Sequence, residues 1–430
     1  MPPKHQSTKN HKRLNIIKIA LVEFSVLELW SQVFLLTGVV SKFKYSGYII
    51  FSLLFYVIIS CSGPDSESKG FLSFSDNKEN NRCLVNYARG FDISYQKNYT
   101  VLTVYNPWQG ADNIAEKYYL VNRNEKIPRN IEGKTIIYVP ISRIVCMSTT
   151  HIALVDYIGK TNTIVGVSGS KYVNNREIKN LIDQKKVCDL GYDNSLNYEL
   201  LISLKPDIVM AYGIESNISE MVNKLKELGI TVVINGEYLE ENPLGKAEWI
   251  KFVSAFYKEE NNACLKFDKI KKQYFDLKEL TRSVTEKPRI LTGLPWNDVW
   301  YVPGGRSYAV QLISDAGGEY LWNTNDSRES LALSIESVYE EGKNADIWIN
   351  TGDADSGHDI LANDERLIHL KAFQQQALYN NNAKHNNSGG NDYWESGIVN
   401  PQFILKDLIS IFHPELLPGH KLVYYKKLSN

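Results

Sequence analysis

The sequence predicts an α/β protein of two lobes joined by a long, stiff helix. Three observations carry that expectation. Strand-like and helix-like apolar runs alternate on both sides of residue 245. Between Gly245 and Pro288 the chain contains neither glycine nor proline. A helix-then-strand unit also recurs across that stretch: "LNYELLISLKPDIVMAYG" from Leu196 and "LSIESVYEEGKNADIWINTG" from Leu333 both run polar cap, Glu, short helix, Asp-Ile, apolar strand, Gly.

The first 60 residues read as a signal region rather than as part of either lobe. Lys42 and Lys44 precede "YIIFSLLFYVIISC" (residues 48–61), and the polar "SGPDSESKG" follows. That apolar run is shorter than the roughly 20 residues a spanning helix needs. Its last four residues, Ile58 to Cys61, resemble a bacterial lipobox, which implies lipidation of Cys61 and a lipid-anchored protein at the periplasmic or cell-surface face of a bacterial membrane. Ser62 leaves inner and outer membrane open. An earlier apolar run, residues 14–40, is interrupted by Glu23 and Glu28, which argues against a membrane span and for translation starting near Val39 or Val40 from a non-ATG codon. Residues 61–82 are rich in Ser, Asp, Glu, Lys and Gly, as expected of a flexible tether.

The first lobe is expected over residues 83–244. Residues 87–108 alternate apolar and polar positions in two runs, a hairpin pattern. "TIIYVPISRIVCMS" and "TIVGVSGS" read as strands around the helical "TTHIALVDYIG", a βαβ unit. Lys205-Pro206-Asp207 separates a short helix from a strand. Ile218, Met221, Val222, Leu225 and Leu228 share one helical face that ends at Gly229. In the connector, residues 245–286, Phe267, Ile270, Tyr274, Leu277 and Val284 keep helical spacing, with a break expected at Asn261-Asn262. The second lobe, residues 287–430, resumes with a strand, the loop "GLPWNDVWYVPGGRS", and helices over "YAVQLISDAGG" and "NPQFILKDLISIF". "NNNAKHNNSGGND" is expected to be a flexible polar loop with a solvated His385.

Net charge is -1, with 48 Lys and Arg against 49 Asp and Glu, so no global field favours a nucleic-acid partner. Four cysteines besides Cys61 remain: Cys83, Cys146, Cys188 and Cys264. None lie at C-x-x-C spacing, so they read neither as a zinc site nor as a disulfide scaffold, and Cys146 reads as a buried strand residue. Asp353, Asp355 and Asp364 are spaced like calcium ligands, but His358 stands where that loop needs glycine, so no metal is expected. The Gly304-Gly305 turn lacks the Lys-Ser/Thr ending of a phosphate loop. Its glycines are expected instead to bring Arg306 and free N–H groups to an anionic ligand edge.

Seven segments in order, over residues 136–417, resemble the periplasmic binding protein family that serves ABC importers of iron-siderophore, haem and cobalamin complexes. They are "SRIVCMSTTHIALVDYIGKTNTIVGVS", "NYELLISLKPDIVMAYG", "KLKELGITVVI", "PLGKAEWIKFVSAFY", "VPGGRSYAVQLISDAGG", "LSIESVYEEGKNADIWI" and "NPQFILKDLISIFHPEL". The resemblance implies two Rossmann-like lobes on a rigid helix, the helical-backbone solute-binding fold, with a ligand held between the lobes and no catalytic step. It implies a metal-chelate or corrinoid ligand, no cofactor of the protein's own, and delivery to an ABC permease dimer and its ATPase. By position, Glu199 and Glu336 match the family's permease-docking glutamates. A carboxylate in the first turn of a helix is also favoured by the dipole and suits an Arg fork on a partner.

Ligands of open α/β sheets bind beyond the carboxyl ends of the strands. That places Tyr172 and Tyr192 of the first lobe, and Trp296, Trp300, Arg306, Asp353 and Trp394 of the second, around the expected ligand. Aromatic walls with an arginine suit a large planar or macrocyclic ligand carrying an anionic edge. Two other readings stay open on the residues alone. One is a secreted two-lobed hydrolytic enzyme using a pair such as Asp353 and His358, and the other is a surface receptor lipoprotein without a permease.

Overall fold

The computed structural model describes residues 83–192, 195–213 and 217–429. The signal region, the start near Val39 or Val40, Cys61 and the tether up to residue 82 lie outside the described residues.

The chain first forms a four-stranded sheet of β1 (Phe91–Tyr95), β2 (Thr100–Tyr105), β3 (Ala115–Asn122) and β4 (Ile136–Val139), paired in that order. Phe91 and Ile93 turn into the core while Asp92 between them does not, as the alternation requires. The run "TIIYVPISRIVCMS" is not one strand. Pro140 has no N–H to continue the ladder, so β4 stops at Val139 and β5 (Ile144–Cys146) enters a different sheet. Residues 83–244, expected as one α/β lobe, therefore carry two sheets.

The second sheet is all parallel, in the order β7-β6-β5-β8-β9. It adds β6 (Ile164–Val167), β7 (Cys188–Asp189), β8 (Ile208–Ala211) and β9 (Val232–Ile234). Helices cover both faces, so β5, β6, β8 and β9 are buried at every position and read as unbroken apolar runs. Cys146 is one of those buried residues. The helices are α1 (Thr149–Tyr157), α2 (Arg176–Asp183), α3 (Tyr198–Ser203) and α4 (Asn217–Glu227). Ser148, Asn175 and Asn197 cap the first three, each side chain accepting a backbone N–H of the first turn.

The connector is two helices, α5 (Pro243–Ala255) and α6 (Glu260–Leu280). They separate at residues 256–259, where Lys258 has φ 59°, and not at Asn261-Asn262, which lie in the first turn of α6. Helix α5 is buried along its whole length, Lys246, Glu248 and Lys251 included. It is the centre of the core. Helix α6 buries Ala263, Phe267, Ile270 and Tyr274 and leaves its polar face outside. Cys83 and Cys264 form a disulfide that fastens the start of the described chain to α6, a pairing that the spacing of the cysteines left open. A sequence separation of 181 gives no local spacing to recognise.

The second lobe adds β10 (Arg289–Thr292), β11 (Pro295–Trp296), β12 (Val299–Val302), α7 (Tyr308–Asp315), β13 (Glu319–Tyr320), β14 (Leu331–Ser334), α8 (Ile335–Gly342) and β15 (Ile347–Ile349). It ends with α9 (Gly357–Leu361), α10 (Lys371–Gln374), β16 (Leu378–Asn380), α11 (Pro401–Phe412) and β17 (Lys426–Lys427). Its main sheet runs β13-β10-β15-β16-β17, parallel except for the last strand. A small antiparallel sheet, β11-β12-β14, stands beside it. Asn297 and Asp298, both at positive φ, make the tight turn between β11 and β12.

Candidate functional site

The two lobes meet along two edges, one beside the carboxyl ends of β6 and β7 and the other beside the small antiparallel sheet of the second lobe. On the first edge, Tyr172 and Tyr192 pack edge to face with centroids 5.7 Å apart. Gly169, at φ 68°, sits between them; a Cβ there would come within 3.1 Å of both rings. The second lobe reaches this edge through residues 386–395. Asn386 Nδ2 donates to the carbonyls of Lys171 and Val173, at 3.2 Å each. Gly390 lies so close that a Cβ would fall 2.1 Å from Tyr172 O. Glu395 accepts the N–H groups of Asn174 at 2.6 Å and Asn175 at 2.7 Å. Burial pushes its carboxyl up to about 7. The segment expected to be a flexible polar loop is thus an interlobe contact. His385 is also engaged: Nδ1 lies 2.7 Å from Asn382 O and Nε2 3.8 Å from Asp355.

On the second edge, Arg306 and Arg328 converge on Glu241 of the first lobe, at 3.4 Å and 2.5 Å. Gln109 Nε2 donates to Glu329 Oε1 at 3.0 Å. Gly304 and Gly305 are glycines because the backbone of residues 325–329 crosses them: added Cβ atoms would lie 2.4 Å from Glu329 O and 2.1 Å from Asn325 O. The N–H of Arg306 is taken by Ser327 O at 3.0 Å, so it is not free for a ligand as expected. The guanidinium lies partly exposed at the edge, paired with Glu241.

The other expected ligand residues separate on burial. Trp300 is fully buried, donates Nε1–H to Thr292 O at 3.0 Å and packs on Trp348 with centroids 5.7 Å apart. It is a core residue and offers no face to a ligand, because strand alternation turns Trp300 and Val302 inward. Trp296 is half-buried opposite Val299, Asp353 is exposed in the loop after β15, and Trp394 is exposed beside Glu395, its ring on Tyr393. Asp364, which shares the calcium-like spacing, is instead gripped by Arg366 at 2.6 Å.

Sequence reading missed Glu241, Glu395, Asn386 and the buried His151. They belong to no motif; their one shared trait is proximity to the lobe edges or strand ends. His151 lies with its ring 6.1 Å from Tyr212, and burial lowers its pKa to about 3, so it is neutral.

Glu199 and Glu336 occupy the same local position in the two lobes, the second residue after the capping Asn197 and Ser334. Both are exposed. Arg366 Nη1 lies 3.6 Å from Glu336. Among the described residues no helix is long and apolar enough to cross a membrane.

Two α/β lobes packed on a buried helical axis, with polar and aromatic side chains meeting at the strand ends, define a solute-binding architecture. The model of the periplasmic binding protein family matches residues 144–383, and the chain belongs to that family. It is a solute-binding protein and not an enzyme, which removes the hydrolytic reading of Asp353 and His358. An uncharacterized lipoprotein of Methanocaldococcus jannaschii is 30% identical over 362 residues, spanning 80% of this chain and 87% of the relative. Two solved structures share the fold. A periplasmic binding protein of Veillonella parvula has a TM-score of 0.53 at 13% identity, covering 74% of this chain and 98% of that one. A possible iron-binding (periplasmic solute-binding) protein of Staphylococcus epidermidis has a TM-score of 0.50 at 17% identity, covering 63% and 98%.

Proposed function

We propose that this protein is the lipid-anchored solute-binding subunit of an ABC importer, capturing an iron chelate, haem or a corrinoid between its lobes and delivering it to a permease dimer and its ATPase. One observation carries the reading: a packed tyrosine pair, Tyr172 and Tyr192, lies on one of the two edges where the lobes meet, and a pair of arginines, Arg306 and Arg328, lies on the other. Aromatic faces suit a large flat or macrocyclic body, and guanidinium forks suit its carboxylate or phosphate edge. Trp394 lies beside the first edge, while Trp296 and Asp353 complete the proposed contacts from the second lobe. Glu199 and Glu336 dock one permease subunit each. The relative's description as a lipoprotein supports Cys61 as the acylated residue.

Purification of the natively expressed protein, with absorption spectroscopy and mass spectrometry of what it carries, tests the ligand. An intense visible band from a ferric chelate, haem or corrinoid is expected; a colourless sugar, peptide or amino acid would overturn the assignment. Replacing both Glu199 and Glu336 with Ala removes two charge-assisted contacts and should cut transport by at least about tenfold. Ligand affinity should stay constant. Loss of affinity with transport in proportion would show that these residues do not dock a permease.

A further inference from the structure

The sheet β1–β4 precedes the family-matched residues 144–383. Its residues are nevertheless aligned with the Methanocaldococcus jannaschii relative, because an alignment spanning 80% of this chain is longer than everything from residue 144 onward and must run back through them. The part that leaves the sheet is the loop between β2 and β3. Its base is closed by Asn106 N–H donating to Ile114 O at 2.8 Å and Ile114 N–H donating to Asn106 Oδ1 at 3.2 Å.

The loop lies over the end of β8. Trp108 bridges in parallel to Gly213, and its half-buried ring packs on the apolar core of the β5–β9 sheet. The N–H of Gln109 donates to the Tyr238 hydroxyl at 3.2 Å, and that hydroxyl donates to Gly213 O. The carboxyl ends of parallel strands are where such sheets take ligands. The tip then crosses to the other lobe, where the Gln109 side chain meets Glu329 at 3.0 Å, on the segment that carries Arg328 and packs over Gly304 and Gly305. Backbone contacts fix the loop to the first lobe, and an exposed side-chain hydrogen bond joins it to the second.

We propose that residues 106–114 form a third wall of the ligand site, with Trp108 as an apolar face and Gln109 as a polar rim against the flat or macrocyclic body of the ligand, an inference that rests on the interlobe site of the proposed function. The sheet before the family core thereby becomes a specificity element.

The test uses the full chain, Trp108→Ala, Gln109→Ala, and a variant with residues 107–112 replaced by Gly-Gly, titrated with hemin, cyanocobalamin, ferrichrome and ferric enterobactin. For any probe the wild type binds, the shortened loop and Trp108→Ala should weaken affinity at least about tenfold, the loss expected of one aromatic contact. Gln109→Ala, a surface change that leaves folding intact, should speed dissociation at least about threefold. Wild-type affinity and dissociation rate in all folded variants would overturn the wall. If the wild type binds none of the four probes, the proposed ligand class falls instead, and hydroxyl-radical footprinting decides the wall. Shortening the loop should then raise oxidation of Tyr212 and Tyr238 severalfold, and unchanged oxidation would overturn it.

Discussion

Glu395 makes the seam between the lobes sensitive to pH, with a sign opposite to that of a surface ion pair. Its side chain is almost wholly buried and accepts two backbone N–H groups from the other lobe. Burial raises its pKa from 4.5 to about 7; Asp392 adds to the rise, while the two N–H groups and Lys179 oppose it. Because the folded pKa exceeds the unfolded one, the protonated form stabilises the fold. That contribution is whole below pH 4.5, declines as pH climbs, and is lost above 7. A gap of this size corresponds to roughly 3 kcal/mol. Glu395→Gln keeps the shape, cannot ionise, and loses one acceptor at a pH-independent cost of about 1 to 2 kcal/mol. Urea denaturation of both proteins at a series of pH values from 4.5 to 8.5 reads the difference directly, since every other titrating group cancels. The variant should gain on the wild type by about 3 kcal/mol across that range. A difference that stays constant, or that moves the other way, would mean that the backbone N–H groups stabilise the carboxylate more than burial penalises it.

Glu248 is fully buried, bonds Lys251 at 2.6 Å and accepts the N–H groups of Asn86, Tyr87 and Ala88. Glu248→Ala leaves a buried ammonium unpaired and should cost about 3 to 5 kcal/mol in urea denaturation, a loss below about 1 kcal/mol refuting that account. Trp300→Ala should cost a similar 3 to 5 kcal/mol, roughly, by emptying a core site, while ligand affinity of the folded variant stays at the wild-type value. Reduced affinity without reduced stability would return Trp300 to the ligand wall. Paired Cys83→Ser and Cys264→Ser substitutions open a loop of 181 residues' separation and should lower stability by up to about 5 kcal/mol. Adding a reductant should then destabilise the wild type and leave the variant unchanged.

The repeated helix-then-strand unit of the two lobes was legible because its signals are local. The equivalent units around Glu199 and Glu336 appear as capped helices followed by buried strands, since a cap, a turn of helix and a β-branched run are each decided within a few residues. The site was less legible. Trp300 and Trp296 read alike as aromatic loop residues, but the turn at Asn297-Asp298 makes strands of both flanks, and alternation buries Trp300 completely. Polar composition suggested a flexible segment at residues 380–392, yet Asn386 and Gly390 are held by backbone atoms of the other lobe.

By itself the sequence determined the α/β class, the face of α6 that carries Phe267, Ile270 and Tyr274, and the equivalent placement of Glu199 and Glu336. Each depends on periodicity or on a cap spanning a few residues. Only the tertiary structure decided that α5 is buried with Lys246, Glu248 and Lys251 inside it, that Cys83 reaches Cys264, and that Glu241, Gln109 and Glu395 join the lobes. The physical reason is common to all three: a charge can be buried, or a cysteine paired, only when a partner distant in sequence arrives beside it, and no local pattern records that arrival.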